Sequence, residues 1–227
     1  MIQVTDNFIK IQDLLAQAAT DAGRSADSVR LVAVSKKKPA EAILEAVTAG
    51  QRDFGENFVQ EALEKMDAIE RDDLCWHFIG HLQSNKTKPV AERFQWVHTI
   101  DRLRIANRLS AQRPHYAGDL NVCIEVNIDN EPSKSGVAPE DVGELAVAIA
   151  ELPRLRLRGL MCLPAIRADY EAQRVPFARM RELLESLNTR GLGLDTLSIG
   201  MTADYAAAIR EGATIVRVGT AIFGERT

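Results

Sequence analysis

The strongest constraint on this chain is a repeat of pattern, not of sequence: a short apolar run closes on a polar or glycine-containing turn, an amphipathic stretch follows, and the alternation continues to the C-terminus. The apolar runs are Leu31 to Ser35, Arg52 to Gly55, Cys75 to Ile79, Trp96 to Thr99, Val122 to Ile128, Leu157 to Cys162, Thr196 to Ile199 and Thr214 to Val218. Helical periodicity occupies Pro39 to Ala49, Phe58 to Glu70, Arg102 to Gln112, Pro139 to Glu151, Pro176 to Arg190 and Ala203 to Glu211, with an extra helix near Phe8 to Ala22. Asp129 to Ala138 and Pro164 to Arg174 fit neither period and read as long loops. About eight strands, each followed by helical material, predict an α/β fold, a single (β/α)8 TIM-type barrel with an additional N-terminal helix. An open doubly wound sheet has fewer strands and a glycine fingerprint after the first, and no GxGxxG follows Ser35.

A chain of 227 residues with 46% hydrophobic content can bury one substantial core, and with no repeat, linker or low-complexity tract the expectation is one domain over 1–227. The net charge of −4 argues against nucleic acid or an anionic membrane as partner, while leaving room for a local basic patch that captures a small phosphate. The opening MIQVTDNFIK lacks the pattern of a leader, and no segment approaches the roughly 20 apolar residues that span a bilayer, so a cytoplasmic protein is expected, as a monomer. Cys75, Cys123 and Cys162 are odd in number and widely spaced, which suits buried thiols and matches neither a disulfide framework nor a zinc set.

In such barrels reactive groups sit where strands end. Lys36 directly follows LVAVS, where its ammonium would lose hydration at the barrel mouth; a desolvated lysine is more readily neutral, the form that attacks an aldehyde. The plain alternative is that Lys36, Lys37 and Lys38 form a solvated basic run. Ser198 to Thr202 and Gly219-Thr220 close the last two strands, the usual phosphate cradle of this fold, although glycine and hydroxyl residues also serve ordinary turns. Alternation in TIVRV turns Arg217 inward with Ile215, so its guanidinium needs a partner such as a ligand nitrogen or Glu125. Glu125 fits a structural ion pair as well as a catalytic role. His77 and His81 flank a strand end and do not share a helix face, which leaves no metal site, and His98 and His115 have no evident partner in sequence.

Taken in order, Ala33-Val-Ser-Lys36, Phe54-Gly-Glu-Asn57, Trp76-His-Phe-Ile-Gly80 with Leu82-Gln-Ser-Asn-Lys86, Asn127 through Lys134-Ser-Gly136, Gly159-Leu-Met161, Ser198-Ile-Gly-Met-Thr202 and Arg217-Val-Gly-Thr-Ala-Ile-Phe-Gly224 closely resemble the YggS/PROSC family of pyridoxal phosphate homeostasis proteins. The resemblance covers essentially the whole chain and extends to the N-terminal barrel of alanine racemase. It implies that pyridoxal 5′-phosphate (PLP) is held as a Schiff base on Lys36. It further implies that Arg217 faces the pyridine nitrogen, that Ser198, Gly219, Thr220 and Thr202 hold the phosphate, and that Asn57 lies near the ring. His81 stands where some relatives carry proline, and Thr202 where many carry serine; the roles of His81 and Lys134 stay open.

The family implies a PLP carrier in vitamin B6 homeostasis, with no catalytic residue and with apo-enzymes as transient recipients. The alternative is a PLP-dependent amino-acid racemase, and a third reading is an aldolase that uses Lys36 without a cofactor. Racemisation needs a base on each face of the substrate. Alanine racemase takes its second base, a tyrosine, from a C-terminal domain, whereas this sequence stops soon after its eighth strand, and Tyr116, Tyr170 and Tyr205 fall away from strand ends. The carrier is therefore the expected function.

Overall fold

The computed structural model describes residues 4–225, and the ends of the expected 1–227 domain lie outside them. Eight parallel strands close a barrel: β1 (Arg30–Val34), β2 (Asp53–Glu56), β3 (Cys75–Phe78), β4 (Trp96–Ile100), β5 (Leu120–Val126), β6 (Leu155–Cys162), β7 (Thr196–Ser198) and β8 (Ile215–Val218). Each pairs with the next, and β8 returns to β1 with Val32 opposite Arg217. The helices are α1 (Val4–Asp21), α2 (Ala40–Thr48), α3 (Val59–Ile69), α4 (Thr87–Arg93), α5 (Leu103–Gln112), α6 (Val142–Ala150), α7 (Tyr170–Thr189), α8 (Tyr205–Arg210) and α9 (Thr220–Phe223).

Strand alternation sorts the core into two parts. Val32, Trp96, Cys123, Met161 and Ile215, with Cys75 beside them, fill the barrel interior. Their neighbours in sequence, among them Leu31, Ala33, Val97, Val122, Ile124, Val216 and Val218, face the helices in the larger cluster. Arg217 shares the inward face with Ile215, as expected. The three thiols are unpaired, and burial pushes each up to about 12.

The extra helix has a structural task. The four residues of α9 are too few to cover the seam between β8 and β1. Instead α1 packs against α2, α8 and α9, burying Val4, Phe8, Ile11, Leu15 and Ala19 at helical spacing.

Three local readings differ from the structure. The stretch Pro164 to Arg174 is a loop only as far as Asp169, whose side chain accepts from Ala172 N at 2.9 Å and caps α7. Pro176 suggests a helix start, but it lies within α7, where the Asp169 cap sets the beginning. A short helix, α4, occupies Thr87–Arg93, where the sequence showed no clear period. No helix among the described residues is long and apolar enough to cross a membrane.

Candidate functional site

Lys36 lies just beyond β1, half-buried at the barrel mouth. Its turn is pinned by Lys65 and Glu61, which no motif revealed, acting on Ser35 and Glu56, which two of the motifs contain. Lys65 Nζ donates to the Ser35 carbonyl at 2.7 Å, to Glu56 Oε1 at 2.7 Å and to Glu61 Oε1 at 2.6 Å, while Ser35 Oγ donates to Glu56 Oε1 at 2.6 Å. Burial pushes the Glu56 carboxyl above its ordinary value, opposed by the Lys65 ammonium. The signal was present in sequence: Lys65 falls on the apolar stripe Val59, Ala62, Met66 and Ile69 of α3, where a lysine needs a partner. Lys37 takes a left-handed backbone, φ 59°, and its N–H donates to Glu61. Lys38 is not simply solvated, since its Nζ donates to the Glu225 carbonyl at 2.7 Å.

On the adjoining strand β8, Arg217 is 4% exposed. Its Nη1 donates to the Ser198 carbonyl and, at 2.7 Å, to Ser198 Oγ; Nη2 donates to the Cys162 carbonyl at 3.0 Å. Three of the five guanidinium protons are thus used. The Nε proton and one Nη2 proton find no acceptor among the described residues. Glu125, expected as a possible partner, acts on Arg217 only through space.

Ser198 is fully buried, and its hydroxyl turns into the core, toward Arg217 and His98 Nδ1 at 2.7 Å. His98 Nε2 lies 2.9 Å from His77 Nδ1, and His77 Nε2 lies 2.9 Å from Asp53 Oδ1. Burial holds His98 well below the usual histidine range, helped by His77 and Arg217, and lowers His77 against the pull of Asp53. Spacing within one strand hid this contact. The signal was the shared inward face of His77 on β3 and His98 on β4.

The turns after β7 and β8 have the form of a cradle. Gly200 has φ +95°, and a Cβ there would meet Ala208 Cβ at 2.7 Å, so the turn requires glycine. A Cβ on Gly219 would approach the Val34 carbonyl oxygen to 3.1 Å, which brings this turn against the end of β1. The amides of Gly219, Thr220 and Ala221, at the open first turn of α9, donate to no described residue. Thr220 on this turn and Thr202 on the turn after β7 are both exposed. The structure therefore gathers Lys36, Arg217, Gly219 and Thr220 on the adjoining ends of β1 and β8, with Thr202 on the next turn.

A cavity of about 260 Å³ opens at the mouth between Asn57, His81, Glu125, Asn127, Lys134 and Ser135. Asn57 Oδ1 is buried and has no hydrogen-bond partner among the described residues. Burial pushes Glu125 up to about 7, Asp101 adding to the push and Arg217 opposing it. Lys134 Nζ pairs with Glu131 Oε1 at 2.7 Å, and His81 is exposed, 3.9 Å from Asp101 Oδ2. A larger groove, about 640 Å³, lies at the opposite end among Asp67, Glu70, Arg71, Glu92 and Arg93, away from these groups.

The family model described as alanine racemase, N-terminal domain, matches residues 9–227. The pyridoxal phosphate homeostasis protein of Pseudomonas aeruginosa is 57% identical over 226 residues, covering 100% of this chain and 97% of that one. PipY of Synechococcus elongatus, solved with PLP bound, is 35% identical with a TM-score of 0.87, covering 98% of this chain and 100% of that one. An alanine racemase from Corynebacterium glutamicum, 17% identical with a TM-score of 0.75, shares the fold over 97% of this chain and 62% of its own.

Proposed function

Since this chain belongs to the pyridoxal phosphate homeostasis family, built on the alanine racemase N-terminal barrel, we propose that it binds PLP at the barrel mouth, with Lys36 as the attachment point, and serves as a carrier in vitamin B6 homeostasis. The observation that carries the reading is Arg217, a buried guanidinium with two unclaimed N–H groups on the strand adjoining that of Lys36. A pyridine nitrogen is the acceptor such groups lack. The orphaned Asn57 Oδ1 and the unpaired amides of Gly219 and Thr220 also fit a ring and a phosphate.

In this reading Gly219, Thr220 and Thr202 would hold the phosphate, while Ser198, expected with them, turns its hydroxyl to Arg217 and His98 and contributes by anchoring Arg217. Asn57 would line the ring. When bound, PLP supplies an aldehyde that condenses reversibly with amines, so that it can be held and handed on. Arg217, permanently cationic, disfavours a proton on the ring nitrogen beside it and so weakens the ring as an electron sink. That arrangement suits retention over catalysis. The proposal extends to one domain over 1–227, working in the cytoplasm as a monomer, with apo-enzymes as transient recipients.

Borohydride reduction of the protein incubated with PLP, followed by peptide mass spectrometry, tests the assignment. The expected product is a single reduced adduct on the peptide carrying Lys36. An adduct confined to another lysine, or none, overturns it.

A further inference from the structure

We infer that Asp53, His77, His98 and Ser198 form a one-way hydrogen-bond relay through the barrel core that positions Arg217 toward the ring nitrogen of PLP. The inference rests on the reading of the mouth as a PLP site, and it adds positioning residues that lie below that site.

The two ends of the relay fix its direction. A guanidinium only donates, so Arg217 Nη1 gives a proton to Ser198 Oγ at 2.7 Å. The hydroxyl has one proton of its own to give, and its other partner at 2.7 Å is His98 Nδ1, which therefore accepts. A neutral His98 then carries its proton on Nε2, facing His77 Nδ1 at 2.9 Å. His77 likewise keeps its proton on Nε2, 2.9 Å from the Asp53 carboxylate, which only accepts. Every donor meets an acceptor. Arg30 holds the far end through Asp53 at 3.5 Å, where the carboxylate is 20% exposed. His77, His98 and Ser198 are fully buried, and burial disfavours an imidazolium at either ring.

The relay gives Arg217 its orientation. With the Ser198 proton committed to His98, the oxygen keeps its lone pairs toward Nη1, whose two protons both end on Ser198. The Cys162 carbonyl adds a third restraint. A guanidinium held at three points presents its remaining N–H groups in one direction, and neutral rings behind it add no second cation near the ligand nitrogen. His77 and His98 touch no ligand in this account and act through Ser198 and Arg217.

The test uses the full-length protein with 15N-labelled histidine and arginine, and 15N-labelled PLP. At pH 7, without cofactor, both buried rings are expected to be neutral with the proton on Nε2; an imidazolium or an Nδ1–H form at either ring overturns the relay whether or not PLP binds. With cofactor, His98→Phe is expected to raise the PLP dissociation constant about tenfold, the worth of one buried hydrogen bond, to broaden the Arg217 Nε–H signal and to move the PLP ring-nitrogen shift. His98→Asn, whose Oδ1 can still accept from Ser198, should stay within about threefold of wild type. Should His98→Phe not fold, Ser198→Ala cuts the same link by removing one oxygen, with the same two spectral changes expected. Wild type that binds PLP while these variants keep its affinity and spectra refutes the positioning role. Wild type that takes up no PLP sinks the cofactor reading, and with it the role toward the ring, while the histidine signals still report the relay.

Discussion

Lys65 Nζ lies 2.7 Å from Glu56 Oε1 and 2.7 Å from the Ser35 carbonyl oxygen, so one ammonium joins the ends of β1 and β2 directly beneath Lys36. Both charged groups are buried, and removing one partner leaves the other uncompensated. Lys65→Met is expected to cost about 3–5 kcal/mol in urea unfolding. Adding Glu56→Gln should restore more than half of the loss. A double variant no more stable than Lys65→Met would show that the pair does not act as a unit.

Lys36→Ala should abolish the visible absorbance of the PLP-loaded protein and leave the far-ultraviolet circular dichroism and melting temperature close to wild type, because the residue sits past the strand and outside the apolar core. Lys37→Ala and Lys38→Ala should keep the band. Lys38→Ala loses its bond to the Glu225 carbonyl, for an expected change of about 1 kcal/mol or less. Loss of the band in either neighbour counts against Lys36.

The cradle can be tested from both sides. Gly219→Ala places a methyl 3.1 Å from the Val34 carbonyl oxygen, and Thr202→Ala removes a hydroxyl beside the open turn. Each should weaken PLP retention by about tenfold or more, Thr202→Ala by losing one charge-assisted bond and Gly219→Ala by displacing the turn whose amide would give another. Pyridoxal, without the phosphate, should be nearly indifferent to Thr202→Ala. Equal sensitivity of the two ligands in dialysis competition would remove the phosphate from this place.

Glu125 gives the fold a pH signature. Its carboxyl titrates near 7 when folded and in the ordinary glutamate range when unfolded, so between these values the folded chain keeps a proton that the unfolded chain has lost. Its contribution is present at low pH and fades as pH rises through about 4.5 to 7, by about 3 kcal/mol in total. Glu125→Gln should lack this fall. Denaturant midpoints of both proteins from pH 4 to 8 would show it, and parallel curves would place the raised ionisation elsewhere.

A racemase needs a second base facing Lys36. None of Tyr116, Tyr170 and Tyr205 lies on a strand; Tyr116 is 89% exposed after α5, and the other two begin α7 and α8. No multiple-turnover inversion is expected with a panel of amino acids in deuterated solvent, whereas transfer of PLP to an apo-enzyme should be measurable. Turnover that disappears in Lys36→Ala would reverse the assignment.

What could be read in the sequence followed from local rules. Strand and helix periods, and strand ends rich in glycine and hydroxyls, are properties of adjacent residues, and they located Lys36, Arg217 and Gly219 on the mouth. The Ser198 hydroxyl, Lys65 and the His77–His98 contact were not legible in the same way. Each depends on which side chains meet across different strands or between a helix and the barrel, a distance set by closure and not by spacing along the chain. The start of α7 escaped for a local reason: Pro176 is a stronger written signal than the Asp169 cap.

Placing α1 over the seam that α9 is too short to cover joins segments made at opposite times. Asn7 Nδ2 donates to the Ile222 carbonyl across 215 residues, and the helix that carries the Phe8, Ile11 and Leu15 stripe packs on α8 and α9, elements made long after it. During synthesis that stripe is exposed while most of the barrel is being made. Contacts so distant in sequence carry a large loop-closure cost and slow the final step of folding. Nascent chains of this protein should therefore depend on early protection of a helix whose task, once the barrel is closed, is to cover a seam.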